Sequence, residues 1–510
     1  MKAVQSKSGM VVAGLLLAIL MSSMDNTIVA TAMGTIVGEL GGLDKFVWVT
    51  SAYMVAEMAG MPIFGKLSDM FGRKRFFIFG MLVFMLGSAL CGTAGSIIEL
   101  SVYRAIQGIG GGALIPVAFT IMFDAVPPDK RGKLMGLFGA VFGMSSIFGP
   151  LLGAYITEYI RWEWIFYINL PIGCASFVLV ALAYRESVEH AKQRIDWAGA
   201  LTLLGAVVCL IFAVELGGKF YAWDSPQIIG LFAGFAVLAV LFAIAETRAE
   251  EPIIAFRLFR SRLYAASNAI AVLSGAAFVV ASVFIPIYIQ GVLGGTATNS
   301  GLVLLPMMVG TVVTATAGGF VMTRLSYRTI LASTLTLLAA GLALLTTIQA
   351  DTPRLVITLY MILVGLGVGA SFSVLTNAAI HSLSVRQRGS ASATLNFLRS
   401  LGMTLGITIY GILQSHAMTR NLTDSFAGGG ADSLPANVDF TDPHVLLTPA
   451  ARAQIPERAL GAITDGLSSS IAHTFAWGLI PAGLALVAAL AMSREKLDPR
   501  AETEAYAASH

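Results

Sequence analysis

The stretch QGIGGGALIPVAFTIMFDAVPPDKRG (107–132) aligns without a gap with VGLGVGASFSVLTNAAIHSLSVRQRG (364–389), at an offset of 257 residues. Gly108, Gly110, Gly112, Ala113, Arg131 and Gly132 meet Gly365, Gly367, Gly369, Ala370, Arg388 and Gly389, and Gly149 meets Gly406 at the same offset. Each copy is an apolar run studded with small residues that ends in basic ones. A repeat of this length points to a duplicated structural unit, so its meaning depends on what surrounds each copy.

What surrounds them is almost wholly apolar. Hydrophobic residues make up 56% of the 510 and charged residues 12%, with a mean hydropathy of +0.79. A soluble domain carries about 25% charged residues. Runs of about twenty apolar residues, each long enough to cross a bilayer as a helix, recur from end to end. They predict an all-α membrane protein with fourteen spans, at 10–32, 47–66, 76–95, 98–121, 134–157, 164–184, 197–215, 227–246, 264–290, 300–322, 329–349, 355–380, 390–413 and 470–492.

Lys and Arg set the orientation. One set of connections holds Lys66, Arg73, Lys74, Arg75, Lys130, Arg131, Lys133, Arg185, Lys192, Arg194, Arg248, Arg257, Arg260, Arg262, Arg324, Arg328, Arg386 and Arg388, joined by the basic residues of both termini. The opposite set holds only Lys45, Arg161, Lys219, Arg354, Arg420, Arg452 and Arg458. By the positive-inside rule both termini are cytoplasmic, and the even span count agrees. The long loop 414–469 is then external. Its GGGADSLPAN portion reads as flexible, and LLTPAARAQIPERALGAITDGLSS as one or two short surface helices.

Several functions are excluded. The net charge of +3 is dispersed over short loops, so it gives no footprint for nucleic acid. The N-terminal run mimics a signal peptide but is followed at once by further spans, so it reads as an uncleaved first helix. Cys91, Cys174 and Cys209 all fall in apolar runs and read as small packing residues. No P-loop and no metal-spaced histidines occur, which argues against ATP as energy source, against a metal or other cofactor, and against an enzyme.

With these spans, the repeat pairs span 4 with span 12, both leading into a basic cytoplasmic loop. An offset of eight spans means two six-helix bundles of parallel topology with spans 7 and 8 inserted between them. The divisions are 1–185, 186–262 and 263–510, the last including the external loop 414–469. Bundles related by an axis along the membrane normal are a known transporter architecture, with a substrate site near the midplane between them.

The motifs then become recognisable. GKLSDMFGRKR (65–75) resembles the cytoplasmic signature of the major facilitator superfamily, RAIQGIGGG (104–112) its span-4 motif, and GMSSIFGPLLG (143–153) its antiporter motif. MDNTIVATAM, RWEWIFYINLPIG (161–173), RIDWAG (194–199) and EEPIIAFRLFRSR (250–262) are similar to features of its fourteen-helix drug:proton antiporter branch. The resemblance covers nearly the whole chain. It implies the major facilitator fold, a latch between the two bundles at Gly65, Asp69, Gly72, Arg73 and Arg75, and an antiport role for Gly143, Gly149, Pro150 and Gly153.

The residues support these roles on their own terms. Gly65 and Gly72 permit a tight turn, and Asp69 is placed to cap the N-terminus of span 3. Gly139, Gly143, Gly149 and Gly153 let a neighbouring helix approach closely. Pro150 removes a backbone hydrogen bond and should kink span 5. Simple loop anchoring and helix packing are the plainer readings of the two motifs.

Four charges lie inside apolar runs: Asp25, Glu57, Arg104 and Arg399. Each costs roughly 2.5–3.5 kcal/mol near a helix centre, so an intramembrane ionisable group is a functional hypothesis by default. At about 1.5 Å per residue, Asp25 and Arg104 both fall roughly 10 Å below the outer surface, which makes them candidates for a direct or water-linked pair. Glu57 and Arg399 sit near the midplane. Desolvation favours the protonated form of a carboxylate and a neighbouring guanidinium favours the ionised form. An acid whose surroundings alternate between outward-open and inward-open states therefore carries a proton. Asp25 is the first candidate for proton coupling, with Arg104, and Glu57 the second. A static ion pair is the alternative for Asp25 and Arg104. Where the family pattern has an apolar residue, this chain has Glu57, which would attract cationic compounds. Tyr53, Gln107, Phe278, Gln290, Asn377, Asn396 and Arg399 complete the candidate substrate contacts, with ordinary packing as the alternative for each neutral one.

Together these features predict a proton-driven exporter of lipophilic, often cationic compounds in the bacterial inner membrane. Its partners are those compounds, protons and membrane lipids, not nucleic acid, and it works as a monomer. A dedicated exporter of one metabolite, antibiotic, siderophore or lipid is the first rival. A sensor or scaffold without transport is the second.

Overall fold

Every predicted apolar run is helical, as it must be where no water satisfies the backbone. A computed structural model describes residues 2–41, 47–126, 128–185, 195–218, 220–295, 297–381, 383–384, 387–426 and 457–497. The helices are α1 (Lys2–Leu40), α2 (Val47–Phe71), α3 (Arg73–Cys91), α4 (Ile97–Ala125), α5 (Pro128–Tyr159), α6 (Trp164–Tyr167) and α7 (Asn169–Ala183). After them come α8 (Trp197–Leu216), α9 (Pro226–Arg248), α10 (Arg262–Ile287), α11 (Ala297–Val321), α12 (Tyr327–Leu345), α13 (Arg354–Ile380), α14 (Arg388–Phe426) and α15 (Glu457–Ala491). The sixth predicted span is broken at Ile168 into α6 and α7, and α10 runs on into a π-helical turn, Tyr288–Val292. Side chains that compete with the backbone start several helices: Ser96, Asp196, Ser225, Ser261 and Ser326 each accept an amide of the first turn.

Eleven helices among the described residues are long and apolar enough to cross a membrane. The predicted spans outside that set lie on α2, α5 and α14. These helices pack across the middle of the molecule, α2 on α14 and α5 on α11. Their small and polar residues meet other helices, as Gly65 meets α14 and Gly149 meets α1, while α5 turns Phe148, Leu151 and Tyr155 outward.

The duplicated glycines do the same work twice. Gly108 and Gly112 of α4 press against the backbone of α2 at Tyr53 and Glu57, and Gly110 against α3 at Phe84. Gly365 and Gly369 of α13 press against α11 at Met307 and Thr311, and Gly367 against α12 at Leu338. The inserted pair α8–α9 lies on the α2–α14 seam: Leu203, Val207 and Ile211 of α8 share a cluster with Val55 and Met58 of α2 and Phe397 of α14.

Hydropathy placed several helix ends short. α1 continues eight residues past 32 to Leu40, α14 continues past 413 to Phe426, and α15 starts at Glu457 rather than 470. Polar residues mark the edge of the apolar slab, but they do not end a helix. The predicted short surface helices are corrected accordingly: 457–469 are the first turns of α15, and 446–456 and GGGADSLPAN lie outside the described residues. The three cysteines are free thiols.

Candidate functional site

The first element of the site is a buried charge network within α1–α7. Asp25 on α1 and Arg104 on α4 are both fully buried and form an ion pair through Asp25 Oδ2. The other oxygen, Oδ1, accepts from Gln107 Nε2 at 2.8 Å and from Asn169 Nδ2 at 2.8 Å. Arg104 and Gln107 are one helical turn apart, so both reach the same carboxylate, and Arg104 Nη1 also donates to Gln107 Oε1 at 2.7 Å. Asn169, the first residue of α7, donates as well to Ser88 Oγ of α3 at 3.0 Å. Side chains of α4 and α7 thus converge on one carboxylate of α1, with Ser88 of α3 behind them. The Tyr53 ring lies 4.1 Å from Arg104 Cζ, and so spreads the cation over its π-face.

The second element is a cavity of about 280 Å³ between the two helix groups. Ser22, Ser23, Asn26, Glu57, Met61, Ile115 and Phe119 line one wall. Phe278, Met308, Thr311, Phe372, Asn396, Arg399, Ser400 and Met403 line the other. Apolar and aromatic walls with a few polar groups are the usual make-up of a small-molecule site. Glu57 lies beside Tyr53 and Asn26. Arg399 stacks on Phe372, with Cζ 4.7 Å from the ring centre.

The third element closes the gap between the groups at the basic end of α2. Asp69, in the last turns of α2, accepts from the amides of Gly389 at 3.1 Å and Ser390 at 2.7 Å, the first turn of α14. The expected cap on span 3 is thereby corrected. Only Gly72, at φ +113°, separates α2 from α3, and α3 starts with no side-chain cap. Asp69 is therefore held inside a helix, and its carboxylate meets the partial positive charge at the N-terminus of α14 instead. Arg73 links Asp69, at 3.1 Å, to Asp124 of α4. A Cβ at Gly65 would overlap Ala393, so glycine permits the close crossing of α2 and α14. Arg75 is exposed. Lys66 pairs with Glu251 at 2.6 Å, and Ser390 Oγ donates to Ile253 O at 2.9 Å. The segment after α9 thus straps across the same seam.

The glycine motif of α5 faces α1. A Cβ at Gly149 would overlap Thr27 Oγ1 and one at Gly153 would overlap Thr31 Oγ1, while Thr27 Oγ1 donates to Ser145 O at 3.0 Å. The motif therefore clasps the helix that carries Asp25. Gly143 and Pro150 lie within α5, which is a single helix through Pro150.

Of the predicted substrate contacts, Glu57, Phe278, Asn396 and Arg399 line the cavity. Tyr53 and Gln107 belong to the charge network instead. Asn377 bonds back to Ser373 O at 2.8 Å on its own helix, and Gln290 donates to Ser300 Oγ at 3.1 Å beyond the cavity. The sequence did not single out Asn169, Ser88, Asp124 or Phe372. Polar residues in apolar runs were the signal for the first two, whereas Asp124 lies just beyond the predicted span 98–121.

The sequence profile of the Major Facilitator Superfamily matches residues 15–407. The chain is 52% identical over 500 residues to Multidrug resistance protein 3 of Bacillus subtilis (strain 168), covering 98% of both chains. It is 36% identical to the Multidrug transporter protein MdtP of the same organism, over 93% of this chain and 91% of that one. Among solved structures, an inward-facing bacterial homologue of the human lysosomal transporter Spinster superposes with a TM-score of 0.56 at 15% identity, over 97% of this chain and 99% of that one. The proton:xylose symporter XylE superposes at 0.55 and 12% identity, over 93% and 95%. At such identities the likeness is one of fold.

Proposed function

The chain belongs to the major facilitator superfamily, a family of multi-pass membrane transporters rather than enzymes, and on that premise we propose that it is a proton-coupled multidrug exporter. It takes up lipophilic, often cationic compounds and releases them outside by alternating access. The observation that carries this reading is the cavity shared by both helix groups, with an acid, Glu57, in its wall and the closed Asp69–α14 latch at one end. The names of the two Bacillus relatives support multidrug export.

In this reading the basic loops and both termini face the cytoplasm across the bacterial inner membrane, so the latch is cytoplasmic and the present arrangement is closed inward. One chain, two bundles and the inserted α8–α9 pair suffice. Asp25 carries the proton. Ion-paired to Arg104 and held by Gln107 and Asn169, its charged form is satisfied here, so protonation has to await a rearrangement of α1 against α4. That requirement is how one ion's binding is tied to one conformation.

Efflux of ethidium and of a quaternary ammonium dye, in cells stripped of their own pumps, tests the reading. Cells expressing the protein should clear both faster than vector controls, and more slowly once the proton gradient is collapsed. Absence of any efflux, with the protein present in the membrane, contradicts it.

A further inference from the structure

Among the described residues, Arg399 is the buried arginine with no carboxylate in ion-pair contact. It is 6% exposed. Its guanidinium donates to Asn396 Oδ1 at 3.4 Å and to the Ser371 carbonyl at 3.0 Å, and stacks on Phe372, all neutral groups. Among the described residues no carboxylate lies within ion-pair distance of it. The other two buried arginines differ: Arg73 has Asp69 and Asp124, and Arg104 has Asp25. A buried charge without a counter-charge is costly, and this one faces the cavity.

Across the cavity stands Glu57, 8% exposed, likewise in no ion pair among the described residues. Anion and cation thus sit on opposed helix groups, too far apart to neutralise each other, with aromatic surface from Phe119 and Phe278 between them. A cation-only ligand would satisfy Glu57 and leave Arg399 unmet.

We infer that the cavity selects zwitterionic amphiphiles, an ammonium at one end against Glu57 and a carboxylate at the other against Arg399, spanned by an apolar aromatic body. The inference rests on the exporter reading and sharpens its substrate class. Arg suits the task because its planar fork meets a carboxylate with two parallel hydrogen bonds. The two ends also behave differently during the cycle. A proton and an ammonium compete for Glu57, whereas Arg399 stays charged. Protonation therefore loosens one end of the ligand while the other keeps its orientation.

A matched set of fluorescent naphthalenes separates the contributions: 6-(aminomethyl)-2-naphthoic acid, its methyl ester, and its N-acetyl derivative, each titrated onto the purified full-length protein. Wild type should bind the zwitterion about tenfold or more tighter than either singly charged form, the scale of one charged hydrogen-bonded contact. Arg399→Gln should bring the zwitterion-to-ester ratio close to one, and Arg399→Lys should recover part of it. Glu57→Gln should collapse the zwitterion-to-N-acetyl ratio instead. Equal wild-type affinities for zwitterion and ester, or a ratio that Arg399→Gln leaves untouched, overturn the inference. The wild-type ratios decide the matter even where a variant fails to fold. Intact ethidium efflux alongside equal affinities refutes the zwitterion inference alone, whereas missing ethidium efflux refutes the exporter reading.

Discussion

Two arginines inside the membrane core, Arg104 and Arg399, solve the same physical problem in opposite ways. Arg104 is surrounded: a carboxylate, two amide side chains and an aromatic face meet it in a closed pocket. Arg399 meets only neutral groups and looks onto a cavity. A charge neutralised by its own chain, as Arg104 is although its Nε lacks a hydrogen-bond partner, is fixed until the chain rearranges. One whose needs are unmet is available to a ligand. In the proposed function, that contrast gives conformational coupling to the first and recognition to the second.

Removing each cation tests that contrast most severely. Arg104→Gln strands Asp25 as a buried unpaired acid and should lower thermal stability in detergent by about 3–5 kcal/mol. Arg399→Gln strands no acid and relieves an unpaired buried charge while losing two neutral contacts, so it should change stability by no more than about 1 kcal/mol. Similar losses at the two sites would break the comparison. Adding Asp25→Asn to Arg104→Gln should restore most of the stability and none of the proton coupling.

The latch comes next. Asp69→Ala leaves two amides of α14 without their acceptor and removes one of the two carboxylates that Arg73 meets, Asp124 staying in place, and hydrogen bonds to a charged group are worth about 1.5–3 kcal/mol. Inward opening should rise roughly tenfold or more, read as labelling of a cysteine placed at Ala393. Unchanged labelling would show that the seam is held by packing alone.

Gly149→Ala should slow efflux through overpacking of about 1–3 kcal/mol against Thr27, and Thr27→Ala should rescue it in part, because the Thr27 Cβ would still lie 2.7 Å away. Failure of that rescue would detach the glycine motif from the helix that carries Asp25. The smallest effect belongs to the strap. Glu251→Gln removes a partly exposed pair with Lys66, side chains 34% and 14% accessible, and should shift stability by less than about 1 kcal/mol.

The contrast between the arginines was partly legible beforehand. Charges in apolar runs announce themselves, and depth counting joined Asp25 to Arg104 correctly although α1 runs eight residues beyond its predicted end. The neighbours were harder. Asn169 and Ser88 are ordinary residues for a span, and only the convergence of α3 and α7 on α1 gives them a common target. Asp69 was assigned to the nearest helix start, whereas its true partners, Gly389 and Ser390, are more than three hundred residues away. Asn377 and Gln290 failed for a simpler reason. A polar side chain in a helix can turn back on its own chain or its neighbour's, and composition does not say which.

Proton movement in proteoliposomes tests the central claim most directly. With ethidium added, the wild type should release protons in step with uphill drug transport, whereas Asp25→Asn should still bind ethidium but neither accumulate it nor move protons. Uphill transport by Asp25→Asn with unchanged proton release would contradict the assignment of coupling to the buried network.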